Sequence, residues 1–169
     1  RPLSLVAESD MNDPRLITPR AQGGLGMTAQ WDDDIHHAIH SAVSGEQQGY
    51  YGDFGTIETL ATTLRHGYFH AGTYSSFRGR RHGRPLDTAT IPATRLVAYT
   101  LTHDQVGNRA IGDRPSQRLT FGQLAVKAAL ALGSPYTAML FMGEEWGAST
   151  PFQFFSSHPE PELARATAE

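Results

Sequence analysis

Not one cysteine occurs in the 169 residues, which excludes disulfides, thiolate catalysis and zinc–thiolate centres. The absence also fits a reducing compartment, and a cytoplasmic location is the expectation. No window approaches the roughly 18 uninterrupted apolar residues of a membrane span. No basic stretch followed by an apolar one opens the chain, as a secretory signal would. The formal net charge is only −3, so there is no electrostatic reason to expect nucleic acid or an anionic membrane as partner. Internal repeats and low-complexity tracts are missing too. Nothing in the pattern speaks to oligomeric state. What remains is an ordinary globular composition, 39% hydrophobic and 18% charged, long enough for one domain with its own core.

The order reads as strand, loop, helix, repeated. Leu3–Ala7 and Arg95–Leu101 are apolar runs without alternation, the pattern of strands buried on both faces. Met27–Trp31 and Thr137–Phe141 are further strands. Helices are predicted from Asp33 to Gly45, from Thr56 through His66, and from Thr120 to Leu132. In the first, Ile35, Ala38, Ile39 and Ala42 recur at spacings of three and four; the third opens on the capping box Thr120-Phe121-Gly122-Gln123. Residues 67–92 show no convincing period, and a long irregular segment inside a domain is usually functional or mobile. The domain is read as residues 1–155, with 156–169 a polar tail ending in an Ala/Glu-rich stretch. Alternating strands and helices indicate parallel βα units. Roughly four are visible, where a closed barrel needs eight and an open doubly wound sheet about five.

Two carboxylates stand at the C-terminal tips of the apolar runs: Glu8 and Asp104. That is where an α/β barrel assembles an acid/base site. Leaving a buried strand, Glu8 is expected to be partly desolvated and shifted toward its protonated form; a salt bridge to an arginine is the plainer alternative. The run Thr102-His103-Asp104-Gln105-Val106-Gly107-Asn108-Arg109 is the densest polar cluster, with donors and acceptors suited to a polyhydroxylated ligand. It reads equally as a βα turn capped by Asp104. Asp32-Asp33-Asp34-Ile35-His36-His37-Ala38-Ile39-His40, with His36 and His40 four apart on one helix face, allows a metal site, a hydroxyl-binding patch or a solvated helix start. The zinc-protease spacing is absent, and no distant third ligand stands out. Aromatics collect at Tyr50, Tyr51, Phe54, Tyr68, Phe69, Tyr74 and Phe77, and again at Trp146, Phe152, Phe154 and Phe155, as platforms for sugar rings or as loop cores. Gly23-Gly24-Leu25-Gly26 lacks the Lys-Ser/Thr of a phosphate loop and is set aside.

Four stretches together resemble one family: Ala7–Arg15, the block Ala29-Gln30-Trp31-x-Asp33-Asp34-x-His36-His37-Ala38-x-His40, His103–Arg109, and Phe141–Gly147. It is the maltooligosyltrehalose trehalohydrolases, within the α-amylase superfamily of glycoside hydrolases, and the likeness runs from Leu5 to about Phe155. The resemblance implies an α/β fold, here a partial (β/α)₈ barrel of about strands five to eight, and retaining hydrolysis of the α-1,4 bond next to the terminal trehalose of maltooligosyl trehalose. By the same resemblance Glu8 is the general acid/base and Asp104 stabilises the oxocarbenium-like transition state. Asp33, Asp34, His36, His37, His103, Gln105, Asn108 and Arg109 match its binding residues. It implies no metal and no organic cofactor. Two departures follow. The family's aspartate nucleophile lies on a strand before the one carrying Glu8, so it is expected upstream of this chain, and the 169 residues alone are expected to be inactive. Thr102 stands where relatives commonly have Asn. An α-glucan branching enzyme or amylase, and an inactive sugar-binding fragment, are the alternatives.

Overall fold

Parallel pairing of four short strands organises the computed structural model, which describes residues 3–153 and 157–168. In chain order the elements are β1 (Val6–Ala7), β2 (Ala29–Trp31), α1 (Asp33–Ser44), α2 (Ile57–His66), β3 (Thr73–Ser75), β4 (Arg80–His82), β5 (Leu96–Ala98), α3 (His103–Gly107), α4 (Phe121–Leu132), β6 (Thr137–Ala138) and α5 (Pro161–Ala168). The sheet order is β1-β2-β5-β6, every neighbouring pair parallel. Its register sets Ala7 beside Gln30, Trp31 beside Val97 and Ala98 beside Ala138. Strands β3 and β4 form a separate antiparallel hairpin.

The helices start and stop where their caps dictate. Asp32 accepts from the Ile35 amide at 3.1 Å, with Asp33 and Asp34 in the first turn of α1, where carboxylates meet the positive end of the helix dipole. Thr56 caps α2, and Gly67 ends it at φ 83°. A Cβ at Gly67 would come within 2.5 Å of Leu96 Cδ1, so that glycine serves both the turn and the close packing against β5. The Thr120–Gln123 capping box of α4 forms as its spacing predicts.

The side chains of β5 alternate between two faces. Leu96 and Ala98 join Ile35 and Ile39 of α1, Leu60 of α2 and Ala131 of α4 in the main core. Val97 and Tyr99 face the other way, beside Ala29, with Trp31 and Met139 packed against them.

Three expectations are corrected. Leu3–Ala7 is not a strand buried on both faces: only Val6–Ala7 pairs, and Leu3, Leu5 and Val6 are exposed. Thr137–Phe141 likewise shortens to the exposed pair Thr137–Ala138. Both are outer strands of the sheet, each paired on one side only among the described residues, with Val6 exposed beside a buried Ala7 in β1 and both residues exposed in β6. The hairpin lies inside the stretch that showed no period; its strands of three residues are too short to alternate visibly. The 155/156 boundary, with Phe154 and Phe155, falls outside the described residues. Within the tail, residues 161–168 form α5. Among the described residues no helix is long and apolar enough to cross a membrane.

One buried carboxylate ties three segments together. Asp34 Oδ2 accepts from Asn12 Nδ2 at 2.8 Å, from the Phe69 amide at 2.9 Å and from the His70 amide at 2.8 Å. Removing it leaves the Phe69 and His70 amides without that acceptor, while Asn12 Nδ2 keeps its bond to the His70 carbonyl at 3.1 Å; a buried donor left unpaired costs about 1–3 kcal/mol. Asp34→Ala should therefore lower the unfolding free energy by about 2 kcal/mol or more, whereas exposed Glu58→Ala should stay within about 0.5 kcal/mol. Urea denaturation followed by tryptophan fluorescence checks this, and equal effects of the two substitutions would contradict it.

Candidate active site

A parallel sheet sends all its strand C-termini to one edge. Glu8 follows β1 directly, Trp31 closes β2, and residues 99–104 lead out of β5 into α3. That helix starts on a capping box: Thr102 Oγ1 accepts from the Asp104 amide at 3.2 Å, and Gln105 Oε1 accepts from the Thr102 amide at 2.6 Å. The turn is thereby fixed, and the Asp104 side chain projects from it.

Glu8 and Asp104 converge on His103. The imidazole Nε2 lies 3.4 Å from Glu8 Oε1 and 3.3 Å from Asp104 Oδ1. Ligand-capable atoms of the three residues all fall within 4.8 Å of one another, a spacing that could also hold a cation, though exposed acidic groups this close are common without one. The expected desolvation of Glu8 is not found. Its side chain is 55% exposed and that of Asp104 62%.

Around this centre the polar character changes from open to enclosed. The Trp31 ring meets Tyr99 at 5.7 Å and His103 edge-on at 6.0 Å. The Tyr99 hydroxyl donates to Asp33 Oδ1. Burial pushes the Asp33 carboxyl up to about 6, with the charges of Asp10, Asp34 and Asp104 adding to it and the Tyr99 bond opposing. His37 stacks on Tyr50 at 4.9 Å, and burial holds its imidazole down at about 3, hence neutral. A shallow recess opens between Asp33, His37, Tyr50, Phe77, Arg78 and His82.

Sequence reasoning singled out Tyr50 and Phe77 only as aromatics and missed Arg78 and His82. Arg78 Nη2 bonds Asp10 Oδ2 at 2.5 Å, and neutral His82 Nε2 donates to the Asp10 carbonyl at 2.8 Å. Together they clamp the β3–β4 hairpin onto the loop just past Glu8. The usable signal was Phe77-Arg78-Gly79-Arg80, a glycine turn between residues 75 and 80 that closes a hairpin.

Several predicted site residues lie behind the surface. His36 is fully buried; its Nε2 meets the Tyr51 hydroxyl at 2.9 Å, and its ring stacks on Tyr99 at 5.5 Å. Asp34 is consumed by its three donors. Gln105 is engaged in the capping box, and Arg109 bonds both oxygens of Glu46, at 2.8 and 3.0 Å. Asn108 ends α3 on the surface. A larger, mostly apolar cavity of about 400 Å³ lies between α4 and the loop after β6; Glu8, His103 and Asp104 do not line it.

No protein-family model matches the chain. A malto-oligosyltrehalose trehalohydrolase of Mycobacterium tuberculosis (strain CDC 1551 / Oshkosh) is 80% identical over 167 residues, which is 99% of this chain and 29% of the relative. Proteins of the same name from Arthrobacter ramosus and Saccharolobus solfataricus are 62% and 41% identical, over 99% and 98% of this chain and 29% of each relative. A solved structure described as a putative alpha amylase from Salmonella typhimurium superposes with a TM-score of 0.83 at 40% identity, covering 99% of this chain and 29% of its own. The chain thus spans about 29% of the length of these curated relatives. Relatives from 80% down to 39% identity carry the one name over essentially all of these residues, so the chain is similar along its whole length to one segment of malto-oligosyltrehalose trehalohydrolases.

Proposed function

We propose that this segment supplies strands five to eight of a (β/α)₈ catalytic barrel, in a cytoplasmic enzyme that hydrolyses the α-1,4 bond next to the terminal trehalose of maltooligosyl trehalose. The observation that carries the reading is the convergence of Glu8 and Asp104 on His103 at one edge of a parallel sheet. Supporting the barrel, β1 and β6 are outer strands flanked by exposed Leu3, Leu5, Leu140 and Met142, which further strands and helices would cover.

In this mechanism Glu8 protonates the departing glycosidic oxygen and later takes a proton from the attacking water. Asp104 balances the positive charge that develops on the sugar. Retention needs a carboxylate nucleophile about 5–5.5 Å from the acid, and the proposal assigns it to an aspartate outside this segment, so these 169 residues alone are not the catalyst. His103, Asp33, His37 and Asn108 meet sugar hydroxyls, while Asp34, His36, Gln105 and Arg109 hold them in place from behind. The chemistry calls on no metal or organic cofactor.

The complete protein, given maltotriosyl trehalose, should release trehalose, and Glu8→Gln should lower the rate about 10²–10⁴-fold. The competing reading is an α-glucan branching enzyme or amylase on the same barrel, which the name shared by the relatives does not favour. Product analysis on plain amylose separates the two, since branching or general chain cleavage would support the competitor.

Asp33 gives a pH test. Removing the Tyr99 hydroxyl deletes a bond that favours the charged carboxylate, so Tyr99→Phe should raise the Asp33 pKa further above about 6. If the ionised form receives a sugar hydroxyl, KM should rise as pH falls through that pKa, and in Tyr99→Phe the rise should begin at higher pH. Superimposable KM–pH curves would exclude Asp33 from binding.

A further inference from the structure

Lys127 is the sole lysine of the sequence, and it is 2% exposed. Its Nζ donates to His40 Nδ1 at 2.9 Å and to the Thr100 carbonyl at 3.3 Å. With Nδ1 accepting, the imidazole carries its proton on Nε2 and donates to Glu46 Oε2 at 2.9 Å. Glu46 in turn receives Arg109, which also lies 3.6 Å from Asp113. On the other side the Thr100 hydroxyl donates to Glu144, whose second oxygen accepts from the Phe141 amide at 2.7 Å. The groups facing Lys127 are therefore His40 and Glu46 at α1, Arg109 after α3, and Glu144 in the loop after β6, a loop that Arg114 ties down through the Met142 and Thr150 carbonyls.

We propose that Lys127, as an ammonium ion, is a positioning residue for the Asp104 turn, fixing the Thr100 carbonyl directly and the Arg109 guanidinium through His40 and Glu46. The inference rests on the trehalohydrolase reading for its reaction. A buried cation is retained at a site only where its surroundings pair it, and removing one member of such a set leaves the others uncompensated. Here its two bonds and two flanking carboxylates meet at the strand end from which residues 100–104 spring. Burial brings the amine down to about 8, opposed by Glu144 and Glu46, so the ammonium is the form present at neutral pH and is lost just above it.

The test uses the complete protein with maltotriosyl trehalose, comparing wild type, Lys127→Met, Lys127→Arg and Glu46→Gln between pH 5 and 10, with folded fraction fixed by tryptophan fluorescence. Lys127→Met should lose about 10–100-fold in kcat per folded molecule with KM within about threefold, because misplacing a group by an ångström can cost that much. Lys127→Arg should recover to within about threefold of wild type. Above pH 8 the wild-type log kcat/KM should show an added downward step of about one to two units as the ammonium is lost, a step that Lys127→Arg should lack. Should Lys127→Met fail to fold, Glu46→Gln carries the test, because its side chain is a quarter exposed: the step should move to lower pH as an anion favouring the ammonium is lost. Equal high-pH profiles in wild type and Lys127→Arg, or a Lys127→Met kcat within twofold of wild type, would overturn the inference. A wild-type protein that releases no trehalose would instead overturn the trehalohydrolase reading.

Discussion

Parallel registration of β1, β2, β5 and β6 is the constraint from which the arrangement follows. Because Ala7 stands beside Gln30 and Trp31 beside Val97, the strands finish at one edge, and residues far apart in sequence leave the sheet together. Glu8 and Asp104 are 96 positions apart and still reach the same imidazole. An antiparallel pairing of β1 and β2 would send Glu8 to the far end of the sheet, and no loop rearrangement could recover it.

Desolvation grades the polar groups into layers. At the surface Glu8 and Asp104 keep more than half of their side-chain exposure. One layer in, Asp33 is held on Tyr99, and His37 is neutral against Tyr50. Deeper still, Asp34, His36, His40 and Lys127 are buried, Asp34 bonded to Asn12 and two backbone amides, His36 to Tyr51, and Lys127 to His40. The buried set stiffens the strand ends while the outer set stays available, a division expected of a site supported from behind by hydrogen bonds.

The helices were the legible part of the fold. Residues 33–44, 57–66 and 121–132 carry caps and a period near 3.6, signals that depend on neighbours in sequence. The outer strands were less legible, since an apolar run such as Leu3–Ala7 looks alike whether buried on two faces or left at an edge. The hairpin at residues 73–82 escaped for a related reason: three-residue strands give no alternation to count. At the site, Glu8, His103 and Asp104 could be picked out as polar groups placed directly after apolar runs. The depth of each residue could not be read. His36 and His37 are adjacent in sequence, yet one sits beneath Tyr99 and the other borders the recess, because a helix turns its side chains about 100° per residue. Arg78 and His82 depend on a long-range contact with Asp10 that no local pattern announces.

The central claim is that Glu8 and Asp104 flank one glycosidic bond. A crystal structure of the complete protein carrying Glu8→Gln, soaked with maltotriosyl trehalose, tests it most directly. The account predicts the scissile oxygen within about 3 Å of the amide that the substitution introduces, with Asp104 beside the sugar ring that bears the bond. Substrate bound elsewhere, for instance in the apolar cavity against α4, with both side chains facing only solvent, would contradict it.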